Sequence, residues 1–218
     1  EGILIGNEVG DNTGGDLTIR NCRILSTDIA ANRGIQVGNN GNIQIENSEI
    51  MLSRAKGIRT GDGGSIAIRD SQLVTNGIYM VEEGTTQRKL KRLEITNSTV
   101  VTSDALGSKG NSTSVGEIVI HGSSIRQRSE DNSSGCSIGC GDYGSFDRID
   151  IQDSQIDIPG FKDGVAIGGG RYTKDPGNSV IRIANSVVSA RSNGVWSTAI
   201  GGGRRSSGEG TLRIFIEN

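Results

Sequence analysis

Three stretches of this chain place groups with chemical potential at one repeated point. "GCSIGCGDYG" (135–144), "GVAIGGGRYT" (164–173) and "STAIGGGRRS" (197–206) share an "IG" and then diverge. The divergent letters are Asp142-Tyr143, Arg171-Tyr172 and Arg204-Arg205. Aligned on the repeat, they form an Asp–Arg–Arg column beside a Tyr–Tyr–Arg column. Arginine offers forked hydrogen bonds and tyrosine a flat stacking face, which suits an acidic or hydroxylated sugar. The plainer reading is a set of solvated turn residues in which Asp142 pairs with Arg171. Glycoside hydrolysis would need two carboxylates roughly 5–10 Å apart. Asp142 with Asp147, or with Asp175 from the following repeat, are candidates, and β-elimination would look to Arg171 or Arg204 as the cation beside a bound carboxylate. Neither set forms a signature.

The elements that must position these residues are repeats. A second phrase reads "DLTIRNCRI" (16–24), "NIQIENSEI" (42–50), "SIAIRDSQL" (65–73), "RLEITNSTV" (92–100), "EIVIHGSSI" (117–125), "RIDIQDSQI" (148–156) and "VIRIANSVV" (180–188). A broken copy, "TLRIFIEN", occupies 211–218. Apolar alternation on both sides of an Asn/Asp/Gly column means two short strands joined by a bend. Those three residue types tolerate the left-handed backbone that turns a chain in one residue. The repeated isoleucines are Ile19, Ile45, Ile68, Ile95, Ile120, Ile151, Ile183 and Ile214. The "IG" phrase adds a third strand to each repeat, with earlier copies "GILIGN" (2–7), "GIQVGN" (34–39), "GIRTGD" (57–62), "GIYMVE" (77–82) and "DALGSK" (104–109). Three short strands per coil and about eight coils describe an all-β fold, a right-handed parallel β-helix spanning 1–218 as one domain.

Stacked coils make three further expectations. Outward charges of opposite sign should meet at the inter-strand spacing, as Arg20, Glu46 and Arg69 would, and likewise Arg23 with Glu49 and Asp150 with Arg182. The bend column (Asn21, Asn47, Asp70, Asn97, Gly122, Asp153, Asn185) should form a polar ladder whose amides bond to the next coil's backbone, beside a column of Cys22, Ser48, Ser71, Ser98, Ser123, Ser154 and Ser186. Both are construction devices, not rows of nucleophiles. The interval from the "IG" anchor to the repeated isoleucine lengthens from the fourth coil onward. The added segments, 81–91, 107–116, 140–147, 170–179 and 203–210, should form loops that build a wall along one corner. That wall holds Glu82, Glu83, Lys109, Asp142, Tyr143, Asp147, Arg171, Tyr172, Asp175, Arg204, Arg205 and Glu209.

The pattern resembles the pectate-lyase-like superfamily of right-handed β-helices, with its asparagine ladder, across essentially the whole chain. The "AIGGG" spelling is similar to repeats of large secreted or surface-anchored bacterial proteins. The resemblance implies an extracellular or cell-surface bacterial location and a long surface for carbohydrate or host-glycan partners. It also admits a glycoside hydrolase or polysaccharide lyase, and a plain structural stalk, since fold does not choose among them. The polygalacturonase branch fits poorly: its Gly-His-Gly is half matched by "IHGS" at 120–123, and His121 reads as a surface residue.

Composition narrows the rest. The chain has 34 glycines, 2 prolines and 3 % aromatic residues, so its core is one of thin aliphatic layers. A net charge of −2 with scattered signs leaves no footprint for nucleic acid. No apolar run approaches the ~20 residues of a membrane helix. Cys136 and Cys140 on one strand would sit about 13 Å apart, too far for a disulfide; with Cys22 they read as free thiols. Those two with the lone His121 are too few for zinc, so neither metal nor cofactor is implied. The basic cluster "TTQRKLKR" (85–92) reads as a solvated loop, and Trp196 as a sugar platform or a cover for the stack. The Asn-x-Ser/Thr triplets at 97–99, 111–113 and 132–134 are what so Asn- and Ser-rich a chain produces by chance. Neither end shows an amphipathic capping helix, which suggests a segment of a longer protein or ends covered by a partner.

Overall fold

A computed structural model describes residues 14–26, 34–52, 57–80, 88–128, 136–159, 164–173, 178–191, 197–203 and 211–218, and the backbone of 3–5. The described residues contain strands and turns but no helix. The strands assemble into three parallel sheets of eight, eight and seven; successive coils add one strand to each in chain order, except that the last described coil adds none to the third. The protein is a parallel β-solenoid. Sheet 1 holds the "IG" strands, from Ile3–Ile5 to Thr198–Gly202. Sheet 2 holds the strands before the bend, from Leu17–Arg20 to Arg213–Glu217, and sheet 3 those after it, from Arg23–Ser26 to Val187–Ala190.

Register follows the apolar alternation, because a one-residue slip would turn every core side chain to the surface. Ile35, Ile58 and Ile78 pair in sequence in sheet 1, and Ile45, Ile68, Ile95, Ile120, Ile151 and Ile183 do so in sheet 2. These fill a continuous aliphatic column of nearly inaccessible side chains. The final copy departs from expectation: Ile183 pairs with Ile216, not Ile214, which pairs with Ile181. A two-residue shift preserves the inward face, so "RIFIE" satisfies either alignment, and the adopted one brings Asn218 to the register of the bend column.

That column behaves as its composition predicts. Asn21, Asn47, Asp70, Asn97, Gly122, Asp153 and Asn185 all take φ between 45° and 56°. The bond from coil to coil, however, is made by the hydroxyls. The N–H of Cys22 donates to Ser48 Oγ at 3.2 Å; those of Ser48, Ser71, Ser98, Ser123 and Ser154 donate to the Oγ of the next coil's serine, each at 3.1 Å. Each hydroxyl in turn donates to the carbonyl two residues back, as Ser98 does to Thr96 at 2.7 Å. The bend residues point outward and bond to one another, Asn47 Nδ2 to Asn21 Oδ1 at 2.7 Å and Asn97 Nδ2 to Asp70 Oδ1 at 3.3 Å. A left-handed corner residue aims its side chain at solvent, and its successor inherits the inward direction.

The surface charges pair between coils: Arg20 with Glu46 and Arg23 with Glu49 at 2.9 Å, and Arg69 with Glu94 at 2.7 Å. Asp150 and Arg182 are register neighbours, but Asp150 takes Arg148, and Arg182 reaches Glu217 at 3.0 Å.

The insertions are only partly loops. Residues 88–91 belong to the nine-residue strand Arg88–Thr96, 113–116 to the nine-residue strand Thr113–His121, and 146–147 to Phe146–Gln152. Leu90, Val115 and Phe146 form an additional buried layer. The fourth to sixth coils therefore carry a widened sheet 2 where a wall of loops was expected. The basic cluster lies partly in it, with Arg92 bound to Glu94 and Glu117.

Candidate functional site

The corner between sheets 1 and 2 carries the varied letters after each "IG". Gly141-Asp142-Tyr143-Gly144 is a tight turn closed by Gly144 N–H to Gly141 O at 3.3 Å. Its third residue is left-handed, and the same position recurs: Asn40, Gly63, Ser112, Tyr143 and Tyr172 have φ of 57°, 72°, 60°, 58° and 56°. Ser112 N–H donates to Asp142 O at 2.7 Å and Tyr143 N–H to Arg171 O at 2.9 Å, which fixes these turns in register.

Asp142 is only 5 % exposed and fully engaged. Its Oδ1 accepts the Arg171 backbone N–H at 2.7 Å; its Oδ2 accepts Arg171 Nε at 3.0 Å and Nη2 at 2.9 Å. This is a second ladder, since Asn39 Oδ1 accepts Asp62 N–H at 3.0 Å and Asp62 Oδ1 accepts Lys89 N–H at 2.8 Å. Asp142 and Arg171 do come together as sequence register implies, and they bind each other.

Tyr143 and Tyr172 stack with centroids 4.7 Å apart and planes 4° from parallel. One face of Tyr143 is covered by Tyr172. The other looks toward the small Ser112 of the preceding coil, and Tyr143 remains 43 % exposed. Asp147 is bridged by Lys89 Nζ at 2.7 Å, although Lys89 belongs two coils earlier. Gly116 lies between them, and a Cβ there would come within 3.3 Å of Lys89 Cε. An open cleft of about 370 Å³ over this notch is lined by Asp62, Gly63, Lys89, Lys91, Gly116 and Asp147. Asp175, Arg204 and Arg205 lie outside the described residues, as do Glu82, Glu83, Trp196 and Glu209.

Two shallow polar grooves follow the bend corner, one past Asn21, Asn47 and Asp70 and one past Asn97, Gly122 and Asp153. His121 Nε2 stands 3.2 Å from Asp153 Oδ2 at the surface. Ser123 Oγ is already bonded to the His121 carbonyl at 2.8 Å and to the Ile95 carbonyl at 3.3 Å. Cys136 and Cys140 are free and buried, whereas Cys22 is exposed. Burial pushes the Cys140 thiol up to about 11 and raises Cys136 well above the usual range. Among the described residues no group of three His, Cys, Asp or Glu is placed to hold a metal.

One polar row escaped the sequence reading. On the outer side of sheet 1, Arg59 Nη2 donates to Gln36 Oε1 at 2.7 Å, and both are buried. Tyr79 follows in the same column, its phenol pushed up to about 12 by burial and then by Asp104. Lys109, read as a wall residue, is bound to the buried Asp104 at 2.6 Å. The signal was present in the middle letters of "GIQVGN", "GIRTGD" and "GIYMVE", which alternation sends outward into one column.

Compared with known proteins, the chain matches no family model, no curated protein and no solved structure.

Proposed function

We propose that the protein is an extracellular bacterial β-helix module that binds carbohydrate or a host glycan along the corner between sheets 1 and 2, with Tyr143 as its stacking platform. Kinship with the pectate-lyase-like β-helices belongs to this proposal and rests on the left-handed Asn/Asp column. The observation that carries the binding reading is the stacked tyrosine pair, of which the Tyr143 ring is exposed. A ring held against a second ring is an aromatic face already fixed in position, so little conformational freedom is lost when a sugar packs on it. Ser112, one coil away, leaves room for a sugar ring, and the partly exposed Arg171 guanidinium beside it supplies a polar edge. Asp142 and Asp147, the described carboxylates considered for hydrolysis, are each held by a cation.

The test is a glycan panel screened for retention, with the hit titrated against the unmodified protein, Tyr143→Asn and Thr99→Ala. Asparagine tolerates the left-handed backbone that Tyr143 adopts, so the substitution removes the ring and keeps the turn. Retention of a glycan with affinity at least tenfold weaker in Tyr143→Asn, and unchanged in Thr99→Ala, is expected. No retained glycan, or one held equally by Tyr143→Asn, refutes the reading. Cleavage products seen by mass spectrometry would move it to hydrolysis or elimination.

A further inference from the structure

The bonds between bend side chains have a direction. Asn47 Nδ2 donates to Asn21 Oδ1 at 2.7 Å and Asn97 Nδ2 to Asp70 Oδ1 at 3.3 Å. Both amides give a hydrogen to the coil before and turn their oxygen to the coil after. At Gly122 the column has no side chain to continue this. The bend itself is intact there: Gly122 keeps a φ of 56° and its N–H donates to Gln152 O at 3.0 Å. Only the donor is missing.

Two acceptors reach that level from either side. A Cβ on Gly122 would lie 2.7 Å from Asn97 Oδ1, an oxygen for which the bend column provides no donor among the described residues. Asp153, one coil further on, sends its carboxylate back to the same coil, where Oδ2 lies 3.2 Å from Nε2 of His121, the residue before Gly122. Asn97, Gly122 and Asp153 are all exposed. They line one of the two bend grooves, about 370 Å³, together with Ser124, Gln155 and Val187.

A carboxylate and an amide oxygen that converge where a donor is lacking suit a group with several hydrogens and a positive charge. We propose that the groove at Gly122 binds the primary ammonium of an amino sugar, which fills the role that an asparagine amide has in the other coils. An ammonium has three donors and no acceptor, so one group can bond to both Asn97 Oδ1 and Asp153. The Ser124 hydroxyl and the Gln155 amide each donate and accept, as sugar hydroxyls do. A lysine side chain carries the same ammonium on a four-carbon stem. Val187 is the only apolar side chain among the lining residues, which favours the sugar over that stem. The site lies between sheets 2 and 3, at a different corner from Tyr143, and does not depend on that ring.

Calorimetric titration in neutral buffer compares a glucosamine trimer with its N-acetylated counterpart, which keeps the rings and loses the charge. The free amine should bind at least tenfold more tightly, the effect of one hydrogen bond to a charged group. Asp153→Asn should remove that preference and keep the bend, since Asn185 holds the same backbone in the next coil. Gly122→Asn supplies the missing amide from the chain itself, so it should raise Tm and abolish amine binding. Gly122→Asp fills the same space with another acceptor beside Asp153 and should lower Tm. Both changes restrict the unfolded chain alike, so shifts of opposite sign report the donor. Equal affinity for the two trimers, amine binding that survives Gly122→Asn, or Tm shifts of one sign overturn the proposal. A lysine trimer that binds more tightly than the glucosamine trimer overturns the sugar assignment and gives the groove to a peptide.

Discussion

Removing one hydroxyl from the serine column tests whether the coils are joined as described. Ser98 and Ser71 are each 3 % exposed. Ser98 Oγ is the acceptor for Ser71 N–H at 3.1 Å and donates to Thr96 O at 2.7 Å. Ser98→Ala therefore leaves a buried backbone N–H without a partner and a carbonyl short of one donor. An orphaned buried donor costs about 1–3 kcal/mol, and no cavity term is added because only an oxygen is lost. For a domain of this size each kcal/mol lowers Tm by about 2–4 °C, so a decrease of roughly 2–12 °C is expected. Urea unfolding followed by far-ultraviolet circular dichroism measures the free energy, with Thr99→Ala, at the exposed residue that follows Ser98 and opens the next strand, as the control. The comparison isolates the hydroxyl, since both changes sit at the same coil and bend. If Ser98→Ala falls within about 0.5 kcal/mol of that control, typical of inert surface changes, the hydroxyl is not the link between coils.

Two further expectations follow from the interior. Gly168 and Gly201 share one column with φ of 135° and 136°. A Cβ on Gly168 would lie 2.0 Å from Gly201 O, whereas on Gly201 nothing comes nearer than 3.6 Å. Gly168→Ala should combine backbone strain with a clash, about 2–6 kcal/mol, and Gly201→Ala only the strain, about 1–3 kcal/mol. Equal losses in denaturant titration would contradict the packing of sheet 1. The buried thiols make the second: Ellman's reagent should titrate one thiol, Cys22, in the native protein and all three in denaturant. Cys140 ionises near 11 when folded but near about 8.5 when unfolded. Above that lower value the native state holds more protons than the unfolded chain, so stability is complete below it and falls toward pH 11, with Tyr79 extending the loss from about 10 to 12. Each group that titrates only in the unfolded chain costs about 1.4 kcal/mol per pH unit. A urea midpoint flat from about pH 8.5 to 11 would refute this.

The bend column was legible because its requirement is intrinsic to residue type: only Asn, Asp and Gly stand at seven positions where φ is positive. The core was legible because alternation leaves one inward face. Side-chain direction at the corner was not, since spacing alone does not say whether Asn97 or Ser98 turns inward. The widened part of sheet 2 was hidden by irregular alternation. Leu90 and Leu93 are both buried three residues apart, as are Val115 and Ile118, and Phe146 and Ile149. That spacing does not fit a regular pleat, so the segments read as loops although they pair as strands. The terminal register was ambiguous for the opposite reason, because Ile-x-Ile fits at two settings with identical faces.

The same physics explains why Asp142, Arg171 and Asp147 are each held in an ion pair. In a solenoid, equivalent positions on successive coils lie one strand spacing apart, about 4.7–4.9 Å, which is within reach of long polar side chains. A polar residue repeated in register therefore meets its counterpart before it meets a ligand, as Asp142 meets Arg171 and Arg20 meets Glu46. Candidate binding groups are better sought where a column breaks. Tyr143 qualifies because the equivalent residue one coil earlier is the small Ser112, which leaves a ring face open. Such a break is located by aligning the repeats and asking where a column changes size.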